Sequence, residues 1–262
     1  LLTDNMGFRK KERVQLKTPA QIGCMRIAGK VVAETLETLR INVSPGMTTG
    51  DLDAIARECI FNSGATPSFL GYYGFPAVIC TSINEEVVHG IPGDKVISEG
   101  DLISIDCGAI VEGWHGDAAI SIIASTNPHP TIQKLSDVTR AALDAGIKAT
   151  VAGNRMGDIG NAIQTVIQNA GNYGIVEDYV GHGIGTEMHM YPPVPNYGRA
   201  GDGIELKVGM VLALEPMVTI GSPEVVTLAD NWTVVTTDRN WASHWEHTIA
   251  ITDSGPQILT IR

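Results

Sequence analysis

The chain has 262 residues, enough to bury a sizeable core in one or two domains. Hydrophobic residues make up 44% and charged residues 18%, which excludes intrinsic disorder as the main state. The net charge of −11 argues against a nucleic-acid-binding protein, because phosphates attract Lys and Arg, and without an apolar run of about 18 residues no membrane-spanning helix is predicted.

A basic run opens the chain and predicts an N-terminal tail over residues 1–17. Its members are Arg9, Lys10, Lys11, Arg13 and Lys17. A solvated tail is the simpler interpretation. The alternative is docking to an anionic surface such as ribosomal RNA, in a transient association with the ribosome.

Two capping signals predict the first helices. Thr18, Pro19 and Gln21 have the residue types of an N-cap, a first helical position and a capping-box partner. Thr48 and Asp51 have the same spacing ahead of a second apolar stripe. A helix is therefore predicted after each threonine.

The chain repeats itself at an offset of 107 residues. The glycines and apolar residues of Gly46–Gly64 recur in Gly153–Gly171. A long repeat that occurs only twice predicts one domain built by duplication, not a solenoid. We place this domain at residues 18–262, with halves at about 18–140 and 141–262. The repeat also pairs chemically active residues: His89 with His182, Asp106 with Glu215, and Asp117 with Glu246.

The first carboxylate pair lies in a predicted hairpin. Asp101–Cys107 alternates like a strand, Val111–Trp114 reads as a turn, and Ala118–Ile123 reads as the returning strand. Asp106 and Asp117 then come near one another across the ladder. Two buried carboxylates repel, and a divalent cation between them removes that repulsion.

The second half predicts the same arrangement. A strand over Met210–Leu214 runs into Glu215, and Glu246 precedes a strand over His247–Thr252. Each acid alone is more simply a turn or edge residue, but the recurrence in corresponding places favours a site. Four carboxylates and one imidazole suit two divalent ions about 3.5–4 Å apart. Carboxylate-rich ligation favours Mn or other first-row ions over a structural zinc.

Five segments carry a family resemblance: SINEEVVHGIP around His89, DLISIDCGAIVEGWHGDAA around Asp106 and Asp117, GHGIGTEMH around His182 and His189, LALEPM around Glu215, and WEHT around Glu246. From Lys17 to Thr260 the chain resembles type I methionine aminopeptidases. The resemblance implies the creatinase or "pita-bread" fold, an α+β fold with two pseudo-symmetric halves around a central antiparallel sheet.

The resemblance also implies an activity and a ligand set. The protein would remove the initiator methionine from nascent polypeptides whose second residue is small, using two divalent ions, either Mn, Co, Fe or Zn. Asp106 would bind one ion, His182 and Glu215 the other, and Asp117 and Glu246 would bridge both.

Three catalytic roles follow from the same resemblance. Glu215 would double as general base and proton shuttle. His89 and His189 would lie outside the metal shell, contact the scissile amide and stabilise the tetrahedral intermediate.

The resemblance implies an apolar substrate pocket that holds the methionine thioether. Its residues are Phe69, Tyr72, Phe75, Cys80, Met188 and Trp232, with His89 and His189 beside the bond to be cut. Many relatives have Cys in place of Phe69 and Phe in place of Met188. Without the resemblance, ordinary core packing explains these positions about equally well.

Two other functions remain open. Proline-specific aminopeptidases and prolidases share the fold and the ligand set, but generally carry a separate N-terminal domain, whereas about 17 residues precede the first helix here. A non-catalytic binding protein of this fold would typically have lost metal ligands, and all five are present.

Four cysteines without a CxxC motif predict neither a zinc ribbon nor a disulfide scaffold. Since no secretory apolar segment follows Leu1, we expect a reducing, cytoplasmic setting. A monomer is the expectation from the resemblance.

Overall fold

The computed structural model describes residues 13–262, in which four α-helices pack against antiparallel sheets. The predicted α+β class is therefore confirmed. The helices are α1 Pro19–Asn42, α2 Thr49–Asn62, α3 Pro130–Ala149 and α4 Met156–Ala170, with a short 3₁₀ turn at Tyr72–Gly74. The strands are β1 Thr66–Pro67, β2 Ile79–Ile83, β3 Glu86–Val88, β4 Leu102–Val111, β5 Trp114–Ile123, β6 Gly174–Ile175, β7 Gly181–Gly183, β8 Met190–Val194, β9 Val211–Leu214, β10 Met217–Thr219, β11 Val225–Thr227, β12 Val234–Thr236, β13 Ala242–His244, β14 His247–Thr252 and β15 Gly255–Ile258.

Both predicted capping boxes are confirmed. The Thr18 hydroxyl accepts a hydrogen bond from the Gln21 amide at 3.3 Å, and the Gln21 side chain accepts one from the Thr18 amide at 2.9 Å. At α2 the Asp51 amide donates to the Thr48 hydroxyl at 3.1 Å, and the Thr48 amide donates to the Asp51 carboxylate at 2.8 Å. Each box satisfies amides that the first helical turn leaves unpaired.

The predicted hairpin forms β4 and β5, but its second strand begins at Trp114, four residues before the predicted Ala118. The reason is the tightness of the turn: Glu112 and Gly113 adopt φ of 50° and 79°, so that pairing continues to the two turn residues. In this register Asp117 faces Gly108 across the ladder.

Two sheets supply the strands that matter for the site. In one, β4 pairs with β5 along one edge and with β2 and β1 along the other. The other has the order β15-β14-β9-β7-β8. Backbone hydrogen bonds between Ala119 and Glu246 join the two sheets at the end of β14.

The positions of the helices and of the two apolar clusters agree with the sequence repeat. Helix α4 begins 107 residues after α2, and the isolated bridges Thr48–Val96 and Arg155–Glu205 begin at the same offset. One apolar cluster packs α1 and α2 on the sheet of β4, and a second packs α3 and α4 on the sheet of β9. The division of residues 18–262 into duplicated halves stays a prediction that these placements support.

The predicted basic tail divides into two parts. Arg9, Lys10 and Lys11 lie outside the described residues. The prediction that Lys17 is solvated is wrong: its side chain is only 6% exposed, and its amide donates to the Gly209 carbonyl at 2.7 Å. Burial lowers the pKa of its ammonium group to about 8.

No helix of residues 13–262 is long and apolar enough to cross a membrane.

The close packing of α1 against the hairpin and against the segment after β15 yields a stability prediction. A Cβ on Gly29 would overlap the Leu259 carbonyl, and a Cβ on Gly116 would lie 2.7 Å from the Gly29 nitrogen. Gly29→Ala is therefore expected to lower the free energy of unfolding by about 1–3 kcal/mol through overpacking.

The matched control is Gly23→Ala in the same helix, where no atom lies within 4 Å of the added Cβ. This change should instead raise the free energy of unfolding by up to about 1 kcal/mol through helix propensity. Urea unfolding of both variants measures the difference, and equal midpoints would contradict the close packing.

Candidate metal centre

Five side chains of metal-binding type meet where the two sheets join. The structure brings together all five predicted ligand positions from five different strands or strand ends. These are Asp106 in β4, Asp117 in β5, His182 in β7, Glu215 after β9 and Glu246 before β14.

Hydrogen bonds between the halves fix the centre of this arrangement. The Glu246 amide donates to the Ala119 carbonyl at 2.9 Å, and the Ala119 amide donates to the Glu246 carbonyl at 3.3 Å. The Thr248 hydroxyl accepts from the Asp117 amide at 3.0 Å and donates to the Asp117 carbonyl at 2.7 Å. The backbones that carry Asp117 and Glu246 are thus held together although they are far apart in sequence.

The ligand-type atoms converge on one point. One ligand atom each from Asp117, His182 and Glu246 lie within 4.8 Å of one another. His182 Nε2 is 3.6 Å from Glu215 Oε1 and 4.0 Å from Asp117 Oδ2. The Asp106 carboxyl lines one cavity together with Asp117. Both distances from His182 Nε2 are too long for a hydrogen bond. This spacing leaves room for a cation among the side chains.

Burial makes the charged carboxylates unfavourable without a cation. It raises the pKa of Asp106 to about 7, and the adjacent Asp117 carboxyl partly offsets this rise. Burial also raises the pKa values of Asp117, Glu215 and Glu246, and the negative charges of neighbouring carboxylates raise them further.

The imidazole of His182 is neutral and held in one orientation. Its Nδ1–H donates to the Gly183 carbonyl at 3.0 Å, which leaves the Nε2 lone pair facing the carboxylates. Burial lowers the pKa of the imidazole to about 3, with a further contribution from His189. A neutral imidazole oriented through its other nitrogen is the usual form of a histidine ligand.

The donor set fits divalent cations. Within residues 13–262, Asp106 Oδ1, Asp117 Oδ1 and Glu246 Oε1 are buried without a hydrogen-bond partner. Buried polar atoms are normally satisfied, so three orphaned carboxylate oxygens at one point call for a positive ligand. Oxygen-rich donors with one imidazole suit first-row divalent ions.

An apolar cavity of about 250 Å³ opens beside the carboxylates. Its lining includes every predicted pocket residue, namely Phe69, Tyr72, Phe75, Cys80, Met188 and Trp232. The ring of Phe75 packs edge-on against Phe69, at 6.5 Å between centroids, and against Trp232 at 5.0 Å. Cys80 and Met188 are buried, and the Cys80 thiol has its pKa raised by burial, which makes it apolar wall and not a thiolate.

The two predicted catalytic histidines line the same cavity. His89 has a left-handed backbone with φ of 60°, and burial lowers its pKa to about 4. Burial also lowers the pKa of His189, whose Nδ1 lies 2.8 Å from the Tyr72 hydroxyl. Both rings are therefore neutral near pH 7 and can each present one N–H to a ligand.

Two further histidines at the site were not predicted. His244 is buried with Nε2 3.7 Å from Glu215 Oε2, and His115 pairs with the Ser68 hydroxyl at 3.0 Å. The sequence did hold a signal for His244, which lies only two residues before Glu246. His115 had no such signal, because its partner Ser68 comes from a distant loop.

Comparison with known proteins places this geometry in a family. Residues 23–253 match metallopeptidase family M24. The chain is 52% identical to a methionine aminopeptidase from Clostridium acetobutylicum over 247 residues, which cover 94% of this chain and 98% of the relative.

Solved structures agree. The chain superposes on a methionine aminopeptidase from Thermotoga maritima with a TM-score of 0.93 and 42% identity, covering 95% of this chain and 100% of that one. A prolidase from Pyrococcus furiosus gives a TM-score of 0.75 at 22% identity, covering 94% of this chain and 65% of that one, and is similar in fold alone. The predicted pita-bread fold is confirmed.

The raised carboxyl pKa values predict pH-dependent metal binding. A carboxyl must lose its proton before it binds a cation, so protons compete with the metal at low pH. With a pKa of about 7, Asp106 alone should make the Mn²⁺ affinity about tenfold weaker at pH 6 than at pH 8. His182, with a pKa of about 3, stays neutral throughout that range.

Calorimetric titration of the chelator-stripped protein with Mn²⁺ measures this affinity. Asp117→Asn should abolish tight binding, whereas Asp178→Asn, on an exposed residue, should leave it unchanged. An Mn²⁺ affinity that is the same at pH 6 and pH 8 would contradict the raised carboxyl pKa values.

Proposed function

The chain belongs to metallopeptidase family M24 and is a metallo-aminopeptidase, and we propose that it removes the N-terminal methionine from nascent polypeptides whose second residue is small. One observation carries the proposal: a buried carboxylate–histidine centre shares a single cavity with an apolar, sulfur-containing pocket. The centre supplies a place for hydrolysis, and the pocket supplies a place for a thioether.

We assign the ligands of two divalent ions by residue. Asp106 would hold one ion, His182 and Glu215 the other, and Asp117 and Glu246 would bridge them. Mn, Co, Fe and Zn all accept such donors, and the four carboxylates favour Mn. When bound, such ions polarise the scissile carbonyl and make a nearby water acidic at neutral pH.

Glu215 is assigned as general base and proton shuttle. Its carboxylate would take a proton from the attacking water and later deliver it to the leaving amine. Burial and the charge of Asp106 raise its pKa above the ordinary value for a glutamate, which strengthens it as a base.

His89 and His189 are assigned to the scissile amide. Both are neutral, line the cavity and can donate one hydrogen bond each. Donors aimed at the scissile carbonyl stabilise the negative charge that develops on its oxygen in the tetrahedral intermediate.

The chemistry of the cavity wall supports the choice of methionine. Phe69, Phe75 and Trp232 provide aromatic contacts for its sulfur.

Restoring metal to the stripped protein tests the function. After chelation, stepwise addition of Mn²⁺ or Co²⁺ should restore release of free methionine from a Met-Gly peptide. The rate of release should stop rising once the metal site is full. A Met-Leu peptide should be cleaved more slowly, and an Ala-Pro peptide should not be cleaved.

The other outcomes of that assay are equally informative. Cleavage of the Ala-Pro peptide alone would assign the chain to the proline-specific enzymes of this fold. Metal binding without any cleavage would contradict the proposed function, and a failure to bind metal would favour a non-catalytic binding protein.

The assignment of Glu215 predicts a separation of chemistry from folding. Glu215→Gln keeps the volume and one ligand oxygen but loses the basic carboxylate, so kcat should fall by at least about a hundredfold, within the range for a general base. Steady-state kinetics with the Met-Gly peptide measure this loss, and thermal unfolding checks the fold. Glu205→Gln, at an exposed site, is the matched control. Near-normal turnover in the Glu215 variant would refute the assignment.

A further inference from the structure

Tyr72 makes a contact that pocket lining alone does not require. Its hydroxyl lies 2.8 Å from Nδ1 of His189, and the two rings are 5.4 Å apart between centroids. Within residues 13–262, the Tyr72 hydroxyl is thus tied to one nitrogen of a histidine that faces the cavity.

The chemistry of the two groups decides which one donates. Nδ1 of His189 faces the Tyr72 hydroxyl at 2.8 Å, and a neutral imidazole carries one N–H and one lone pair. Burial raises the pKa of Tyr72, so the phenol keeps its proton. A phenol O–H is a good donor and a poor acceptor, whereas an imidazole lone pair is a good acceptor. The favoured pairing is therefore O–H of Tyr72 to Nδ1 of His189.

We propose that Tyr72 is a positioning residue for His189, whose hydroxyl selects the tautomer with the proton on Nε2. That tautomer presents an N–H to the scissile carbonyl oxygen. The opposite tautomer would present a lone pair, which repels that oxygen. This inference rests on the proposed function, because it assigns Tyr72 a part in the same reaction.

The position of Tyr72 depends on the methionine pocket. Its amide donates to the Phe69 carbonyl at 2.9 Å, and its carbonyl accepts from the Phe75 amide at 2.9 Å. The Gly71 amide donates to the Phe75 carbonyl at 2.8 Å and closes the same turn. Because the side chains of Phe69 and Phe75 line the pocket, one loop both contacts the thioether and orients the catalytic histidine.

Removal of the hydroxyl tests the role in catalysis. Tyr72→Phe should lower kcat for the Met-Gly peptide about tenfold, the value of one ordinary hydrogen bond, and change KM less than twofold. Tyr173→Phe removes a phenol hydroxyl outside the cavity and should change neither constant. In a His189→Ala background, Tyr72→Phe should have no further effect on kcat, because it acts through that ring. Equal losses in both backgrounds would overturn the proposal.

The tautomer is measured directly by ¹⁵N NMR of the imidazole nitrogens. The zinc-loaded enzyme serves because Zn²⁺ is d¹⁰ and leaves the spectrum sharp. In the unmodified enzyme His189 should carry its proton on Nε2, and in Tyr72→Phe the Nδ1–H form should gain population. His189→Gln assigns the signals.

A His189 proton on Nδ1 in the unmodified enzyme, or a tautomer unchanged by Tyr72→Phe, would overturn the proposal. This measurement needs no turnover. If the proposed function failed and no peptide were cleaved, the tautomer would still show whether Tyr72 orients His189.

Discussion

The structure depends on a pair of backbone hydrogen bonds between Ala119 and Glu246, where the two halves of the chain meet. With the bonds between Thr248 and Asp117, they hold carboxylates from both halves at one buried point. Like charges in a low-dielectric interior repel, so the sheets must impose this arrangement, and the helices packed behind them keep out water. The stability of the frame thus maintains a site that would disperse if its residues were free.

The same burial explains the opposite shifts of the acids and the histidines. Desolvation disfavours every charged form, so it raises the pKa of Asp106 to about 7 and lowers that of His182 to about 3. Without a cation, burial favours protonated acids and an unprotonated histidine, so that both kinds of group are neutral. A divalent ion reverses only the acids: it favours deprotonated carboxylates and leaves the imidazole neutral, the form that binds metal. Burial therefore accounts for the pKa shifts of both the acids and the histidine.

Local signals made much of the fold predictable from the sequence. Thr18 and Thr48 cap helices through residues three positions away, and the β4–β5 hairpin needs only alternation and a turn, so each could be predicted within a short window. The five metal-binding-type residues that meet at the site could be singled out because the repeat and the family motifs marked them. The exposure of Lys17 was predicted wrongly, and His115 was missed, because Gly209 and Ser68, which contact them, are distant in sequence. Composition carries no information about such contacts.

The metal-binding-type residues and most residues of the apolar cavity come from different parts of the fold. The ligand-type residues lie on strands or at strand ends, where the ladder fixes their backbones, and a prolidase keeps this fold at 22% identity. Apart from Cys80 in β2, the pocket comes from connecting segments: the turn around Tyr72, the loop that ends at His189, and the loop that carries Trp232. Loops can change sequence without disturbing strand register. The metal-binding-type side chains are therefore held by the strands and most of the apolar cavity wall by loops, and Tyr72 and His189 form a contact between two of these loops.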